Sequence, residues 1–173
     1  MTDQQPPPDR PPLPPSRAAF DDPAFVWPPF IAKGVDPDAF VANNLQAGVD
    51  IIEIPRIAGV LERWGQKFLD RVYTAAEQQF CRGRVPELAV RFAAKEAVSK
   101  ALGTGIVGIR WQQIEILIDR RGRPMVFLHG EAAARAQAIN LTRWAISMTH
   151  EHTIGVVFVV ASSGEGGQYV ATD

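Results

Sequence analysis

Residues 91–105 read Arg91-Phe-Ala-Ala-Lys-Glu-Ala-Val-Ser-Lys-Ala-Leu-Gly-Thr-Gly105. Alanine and long unbranched side chains favour helix and glycine ends one, so the sequence predicts a helix over residues 87–102 that closes at Gly103. At 3.6 residues per turn, Glu96 and Lys100 lie one turn apart on the same face. Most remaining positions are alanine or apolar, which predicts that other elements cover this helix.

Shorter elements are predicted on both sides of this helix. Gly48-Val-Asp-Ile-Ile-Glu-Ile54 is rich in β-branched residues and predicts a strand, and Thr74-Ala-Ala-Glu77 is a capping box that opens a helix. The predicted strands are 48–54, 114–118, 125–128, 144–149 and 153–161, and the predicted helices are 55–64, 74–82, 87–102 and 131–140. The order β-α-α-α-β-β-α-β-β predicts an α+β fold in which helices pack on an antiparallel sheet.

The two ends of the chain differ from this central body. Eleven of the 14 prolines lie before position 38, and proline lacks the backbone donor that helices and central strands need. We therefore expect a disordered leader over residues 1–46, one folded domain over 47–163 and a flexible tail over 164–173. The leader also contains several aromatic residues. As an alternative to disorder, these residues could dock on the body or on a neighbouring subunit.

Composition excludes several classes of protein. Cys81 is the single cysteine, which rules out an internal disulfide or a multi-cysteine zinc site and fits a cytoplasmic location. The longest apolar run, residues 154–161, is far shorter than the roughly 20 residues of a membrane helix. Residues 1–46 carry a net charge of −3, residues 47–163 of +4 and the tail of −2. This distribution favours an anionic ligand or partner over nonspecific nucleic-acid binding.

Asp50 interrupts the apolar strand at residues 48–54. A carboxylate there is unfavourable unless it lies at the sheet's rim, in an ion pair or on a metal ion. A second carboxylate, Glu96, lies on a mostly covered helix that also carries Arg91, Lys95 and Lys100. Carboxylates that hold Mg²⁺, with lysine and arginine beside them, are typical of sites that bind a pyrophosphate.

Several blocks of the sequence resemble the bacterial holo-acyl-carrier-protein synthases, a family of 4′-phosphopantetheinyl transferases. The resemblance covers residues 48–161. The blocks are Gly48-Val-Asp-Ile-Ile-Glu-Ile-Pro-Arg-Ile57, Phe68-Leu-Asp-Arg-Val-Tyr-Thr-Ala-Ala-Glu77, the segment 91–105, Trp111-Gln-Gln-Ile-Glu-Ile116, Gly122-Arg-Pro124 and Ser147-Met-Thr-His-Glu151.

The resemblance implies a role for each matching residue. Asp50 and Glu96 would hold Mg²⁺, and Lys100 would act in catalysis together with Glu96. The residues implied to contact coenzyme A are Arg91, Lys100, Gly103, Thr104, Gly105 and His150. The residues implied to bind the carrier protein, on the basic face of the first helix, are Arg56, Arg63 and Lys67. A solvated helix surface and a structural His150 remain the alternatives.

The resemblance also implies the reaction, in which a serine of an apo-acyl-carrier protein attacks the β-phosphate of coenzyme A. The products would be holo-carrier protein and adenosine 3′,5′-bisphosphate. Either Glu96 or a metal-bound water that it orients would take the serine proton. The short body implies a homotrimer that serves fatty-acid synthesis. The alternatives are a transferase for polyketide or peptide synthases, a carrier-binding module without turnover, and, more remotely, a nucleic-acid binder.

Overall fold

The computed structural model describes residues 45–164, and the predictions made for the rest of the leader and tail lie outside these residues. In chain order the elements are strand β1 (Leu45–Glu53), helices α1 (Ile54–Trp64), α2 (Gln66–Val72), α3 (Ala75–Cys81) and α4 (Val85–Ala101), a 3-10 turn (Trp111–Gln113), strands β2 (Ile114–Ile118) and β3 (Pro124–Leu128), helix α5 (Gly130–Ala138), and strands β4 (Arg143–His150) and β5 (Ile154–Ser162).

The predicted fold class is confirmed, while several element boundaries and one additional helix differ from the prediction. The first strand begins at Leu45, three residues before its predicted start, and Ile54, predicted as its last residue, instead begins α1. The predicted element order lacked α2, which follows the end of α1 after a single residue, Gly65. Seven residues are too few to show a helical period, and Gly65, at φ 49°, looks in sequence like the start of a loop.

Local signals explain the other helix boundaries. Thr74 Oγ1 accepts from the Glu77 backbone N–H at 3.2 Å, and the Glu77 carboxylate accepts from the Thr74 N–H at 2.8 Å, as the capping box predicts. Helix α4 ends at Ala101, next to Leu102 and to Gly103 with its φ of 72°. These caps satisfy backbone groups that the helix ends would leave unpaired.

Two antiparallel sheets carry the strands. Strands β1, β5 and β4 form one sheet in that order, and β2 and β3 form the other. Gly48, Asp50 and Ile52 alternate along β1 on the face that α4 covers, while Val49 and Ile51 are exposed on the opposite face. Because side chains alternate along a strand, the register of β1 decides that Asp50 faces the helix.

Helix α4 lies at the centre of the fold. Its small side chains Ala93, Ala94, Ala97 and Ala101 are buried. A Cβ built on Gly48 would lie only 1.9 Å from the Ala97 carbonyl oxygen, so the absence of a side chain lets β1 approach the helix backbone directly. This contact fixes how far the strand that carries Asp50 lies from the helix that carries Glu96.

Candidate active site

Asp50 and Lys100 meet where β1 crosses the C-terminal half of α4. The Lys100 Nζ donates to Asp50 Oδ1 at 2.8 Å and to the Val49 carbonyl oxygen at 2.8 Å. The Asp50 side chain is 17% exposed and the Lys100 side chain is 48% exposed. The Asp50 carboxylate is therefore paired with a lysine that remains accessible to solvent. This ion pair explains why a carboxylate is tolerated in an apolar strand.

Glu96 interacts electrostatically with Asp50 and Lys100. Partial burial, and next the negative charge of Asp50, raise the pKa of the Glu96 carboxyl above its usual value, while Lys100 and Arg56 act in the opposite direction. Two carboxylates, one lysine and one arginine therefore interact at one place. The structure brings together Asp50, Glu96 and Lys100, three of the residues that sequence reasoning selected from β1 and α4.

The residues present fit a hard divalent cation. Two carboxylates that repel each other are stabilised by a shared cation, and Mg²⁺ prefers oxygen ligands. Within residues 45–164, no group of three or more His, Cys, Asp or Glu side chains is placed to hold a metal ion. Mg²⁺ usually has one or two carboxylates and takes its other ligands from water and substrate phosphates, so a two-carboxylate set suits it.

The loop after α4 continues directly from Lys100. The N–H groups of Thr104 and Gly105 donate to the Ser99 carbonyl oxygen at 3.3 and 3.1 Å. Gly103 and Gly105 have φ values of 72° and 54°, a region that residues with side chains rarely adopt. The predicted loop Gly103–Thr104–Gly105 is therefore a tight turn adjacent to the candidate site.

Arg91 is not arranged as the predicted phosphate contact would require. Its guanidinium has no accessible surface, donates to Glu87 Oε2 at 2.8 Å, and lies 4.3 Å from the Phe80 ring centroid. The Nε and Nη2 atoms are buried without a hydrogen-bond partner. A ligand reaches this guanidinium only if neighbouring side chains such as Phe80 move, which sequence reasoning did not foresee.

His150 lies at the end of β4 and is exposed. It pairs with Gly155, which in turn pairs with Ile52, so His150 is on the same sheet face as Asp50. At about 4.8 Å between strands and 3.3 Å per residue, the two Cα atoms are roughly 12 Å apart. Val90, in the N-terminal half of α4, packs beneath Gly155. His150, which pairs with Gly155, therefore lies closer to Val90 than to Glu96 along the helix.

A basic groove runs between α1 and α2, with a volume of about 390 Å³. Its lining residues are Val60, Trp64, Lys67, Phe68 and Arg71. Arg56 and Arg63 are exposed on α1 as predicted, but Lys67 lies on α2, because α1 ends at Trp64. The sequence prediction missed the apolar floor of the groove and Arg71, since α2 itself was not predicted.

A network of buried polar groups lies on the other side of α4. Lys95 and Glu77 are both fully buried and pair at 2.8 Å. Burial lowers the pKa of Lys95, while the Glu77 carboxylate acts in the opposite direction. Sequence reasoning interpreted Glu77 only as a capping residue, so it missed this pair; the signal was the lysine inside an alanine-rich helix.

The outer face of the three-stranded sheet is apolar and exposed. Val49 lies opposite Phe158, and Ile51 opposite Val156. These side chains are between 38% and 65% exposed in the single chain. An apolar patch that spans two adjacent strands typically marks an interface.

The comparisons with known proteins agree with this fold. A family model described as the 4′-phosphopantetheinyl transferase superfamily matches residues 46–157. Because this match covers more than half of the chain, the chain belongs to the 4′-phosphopantetheinyl transferase superfamily.

Relatives and solved structures within the superfamily indicate which type of transferase the chain is. Proteins named holo-[acyl-carrier-protein] synthase from Herpetosiphon aurantiacus and Koribacter versatilis are 44% and 42% identical, each over 67% of this chain and over 97% and 96% of their own lengths. Crystal structures of holo-[acyl-carrier-protein] synthase from Neisseria meningitidis and, with coenzyme A, from Helicobacter pylori match with TM-scores of 0.64 and 0.62. They are 34% and 31% identical, over 68% and 67% of this chain and 98% and 99% of theirs. The chain is thus an enzyme of the holo-[acyl-carrier-protein] synthase type.

Among the helices of residues 45–164, none combines the length and the apolar character that crossing a bilayer requires.

Proposed function

We propose that this enzyme transfers 4′-phosphopantetheine from coenzyme A to a serine of an apo-acyl-carrier protein, with Mg²⁺ as the cofactor. The observation that carries the proposal is the meeting of Asp50, Glu96 and Lys100 at the crossing of β1 and α4. The names of the relatives and the coenzyme A in the Helicobacter pylori structure supply the substrate class.

Each residue of the site has a role in this proposal. Asp50 and Glu96 would hold the Mg²⁺ ion, which when bound neutralises negative charge on the pyrophosphate. Lys100 would bind a phosphate oxygen in place of, or in addition to, Asp50, because its ammonium group is exposed to solvent. A lysine serves here as a compact point charge on a flexible stem.

The reaction transfers one phosphoryl-linked group and one proton. A bond forms between the serine oxygen and the β-phosphorus of coenzyme A, and the bond from that phosphorus to the bridging oxygen breaks. Adenosine 3′,5′-bisphosphate leaves with the bridging oxygen. The Glu96 carboxylate would accept the serine proton, directly or through an oriented water.

We assign to the nucleotide part of coenzyme A the Gly103–Thr104–Gly105 loop, which follows the C-terminal end of α4, and His150, which lies near the N-terminal half of α4. Arg91 belongs to this proposal as well, because its two unpartnered N–H groups would gain partners from a phosphate. Arg82 and Arg84 border the same Phe80 surface and add positive charge there. This step requires side chains that cover Arg91, Phe80 among them, to move away from it.

We assign the carrier protein to the groove between α1 and α2. Lys67 and Arg71 line this groove, and Arg56 and Arg63 lie on the exposed part of α1. A basic rim around an apolar floor suits an acidic helical partner, whose charges would steer the encounter while an apolar side chain enters the groove.

We also propose that the enzyme is a homotrimer in the cytoplasm. The exposed apolar face around Val49, Ile51 and Phe158 supports self-association, since burying it removes apolar surface from water. The free and buried Cys81 is compatible with a reducing compartment.

A transfer assay tests this function. Purified enzyme is incubated with an apo-acyl-carrier protein, coenzyme A and Mg²⁺, and intact-mass spectrometry measures the gain of one phosphopantetheinyl group. We expect transfer by the parent protein, no transfer with EDTA, and a loss of at least about 1,000-fold for Asp50→Ala or Glu96→Gln. Glu151→Gln, at an exposed carboxylate in the β4–β5 turn, is the control and should retain full activity. Carrier binding without a mass gain would overturn the proposal.

A further inference from the structure

Lys95 precedes the metal carboxylate Glu96 in the chain, yet it lies entirely inside the protein. Its Nζ donates to Glu77 Oε2 at 2.8 Å, to the Trp111 carbonyl oxygen at 3.2 Å and to the Ile114 carbonyl oxygen. An ammonium group has three protons, so every proton of Lys95 has an acceptor. Two of the three acceptors are backbone carbonyls at the two ends of the Trp111–Gln113 turn.

Glu77 connects this lysine with two further elements. Its Oε1 accepts from the Ile116 N–H at 3.0 Å, and its Oε2 also accepts from the Thr74 N–H at 2.8 Å. The pair therefore joins α4 to the start of α3, to β2 and to the 3-10 turn. Both side chains are fully buried, and such a network holds one geometry because any shift leaves a buried polar group unpaired.

An apolar pair would fill the same space without this connection. Replacing a buried ion pair with hydrophobic residues is often neutral or stabilising, so stability alone does not explain a lysine at this position. What an apolar side chain cannot do is bind the carbonyls of Trp111 and Ile114. The Trp111 ring also stacks on Phe92, one turn before Glu96, with the ring centroids 4.6 Å apart.

The positions on either side of Glu96 are therefore both anchored. Lys95 attaches one side of α4 to the 3-10 turn and β2, while the backbone of Ala97 contacts Gly48 of β1 on another side. Successive residues are about 100° apart around a helix, so Glu96 lies between these two anchors. A rotation of about 20° would move a carboxylate roughly 6 Å from the helix axis by about 2 Å, comparable to one Mg²⁺–oxygen distance.

We infer that Lys95 is a positioning residue, which sets the rotation of α4 through the Trp111 and Ile114 carbonyls and so aims Glu96 at the ion that it shares with Asp50. The inference rests on the proposed metal site. It assigns to Lys95 no contact with substrate.

Three variants separate positioning from stability. Lys95→Met alone leaves the Glu77 carboxylate buried without its cation, which threatens the fold. The double variant Lys95→Met/Glu77→Gln removes both charges and leaves position 77 an oxygen acceptor, so we expect it to fold. Glu77→Gln alone keeps the bonds from Lys95 to the two carbonyls, but it leaves the Lys95 cation buried without its anion, so we expect it to melt at a lower temperature than the parent. The matched control is Leu141→Ala, a buried truncation between α5 and β4.

The readouts are the melting temperature, the Kd of Mn²⁺ from electron paramagnetic resonance titration, and kcat with the KM for the carrier protein. We expect the double variant to bind Mn²⁺ at least fivefold more weakly and to lose at least tenfold in kcat at an unchanged carrier KM. Glu77→Gln should stay within twofold in Mn²⁺ affinity. Leu141→Ala should melt at a lower temperature with unchanged Mn²⁺ affinity.

Equal Mn²⁺ affinity in the parent and the folded double variant would overturn the inference, and so would a loss in Glu77→Gln as large as in the double variant. Should the double variant fail to fold, a Glu77→Gln protein with fivefold weaker Mn²⁺ binding would overturn it, and one with retained affinity would support it. A failure of the proposed function looks different, because the parent enzyme itself would then give no mass gain on the carrier protein.

Discussion

Adding one methyl group at Gly48 should separate the two halves of the candidate active site. In Gly48→Ala, the new Cβ would lie 1.9 Å from the Ala97 carbonyl oxygen and 2.8 Å from the Ala97 carbonyl carbon. Both neighbours are backbone atoms of a buried helix, so neither can rotate away as the end of a side chain could.

The size of the effect follows from that contact. Ordinary contact begins near 3.4 Å, so β1 and α4 must separate by about 1.5 Å at this point. Overpacking of this kind costs about 1–3 kcal/mol, and we expect the upper end because backbone has to move. For a body of this size, about 3 kcal/mol corresponds to a decrease in melting temperature of roughly 10 °C.

The same displacement should also change the chemistry. Asp50 lies two residues after Gly48 on β1, and Glu96 immediately precedes Ala97, so the movement widens the gap between the two carboxylates. A misplacement of about 1 Å can cost about 100-fold in rate. We therefore expect kcat/KM to fall about 100-fold in the carrier mass assay, measured well below the melting temperature of the variant.

Gly59→Ala is the matched control for this prediction. A Cβ at Gly59 has no heavy atom within 4 Å, and alanine is favoured over glycine inside a helix by about 1 kcal/mol. This variant should be slightly more stable and fully active. A Gly48→Ala protein with parental melting temperature and parental kcat/KM would refute the argument that this close approach sets the geometry of the site.

The remaining predictions concern separate parts of the molecule. Glu96→Gln should melt no lower than the parent protein in thermal denaturation at pH 7.5 with EDTA present, because a raised carboxyl pKa means that folding of the metal-free chain disfavours the ionised form. A clearly lower melting temperature would contradict this. Burial raises the pKa of Cys81 to about 11 from an ordinary value of 9.0, so the native chain retains this proton to a higher pH than the unfolded chain. Urea unfolding should therefore show stability that is present below pH 9 and declines by on the order of 2 kcal/mol between pH 9 and 11, with a shallower decline in Cys81→Ala. Phe158→Glu should convert the assembly to monomers in light scattering, whereas a variant that stays oligomeric would exclude this face as the interface. Lys67→Glu should raise the KM for the carrier protein about tenfold at an unchanged KM for coenzyme A, and a change in the coenzyme A value instead would refute the docking assignment.

The sequence predicted the parts of the fold that depend on local signals. The capping box at Thr74, the glycine after α4 and the hairpins β2–β3 and β4–β5 each have a signature within a few residues, and each was confirmed. Helix α2 had no such signature, since its seven residues follow Gly65 directly. Its absence from the prediction moved Lys67 onto the wrong helix and concealed the groove.

Contacts between distant residues were predictable only in part. The like-charged pair Asp50 and Glu96 was recognisable because each carboxylate interrupts an apolar element, and this required no knowledge of the partner. The burial of Arg91 against Phe80 and the pairing of Lys95 with Glu77 depend on how α3 packs on α4. No spacing along one helix reveals which of its cations face inward, so the prediction treated Arg91 as accessible.

Anomalous diffraction from crystals grown with Mn²⁺ and coenzyme A tests the central claim most directly. One ion should appear at about 2 Å from a carboxylate oxygen of Asp50 and from one of Glu96, with coenzyme A phosphate oxygens completing its ligands. An ion bound to only one of these carboxylates, or located elsewhere on the protein, would contradict the account of the site.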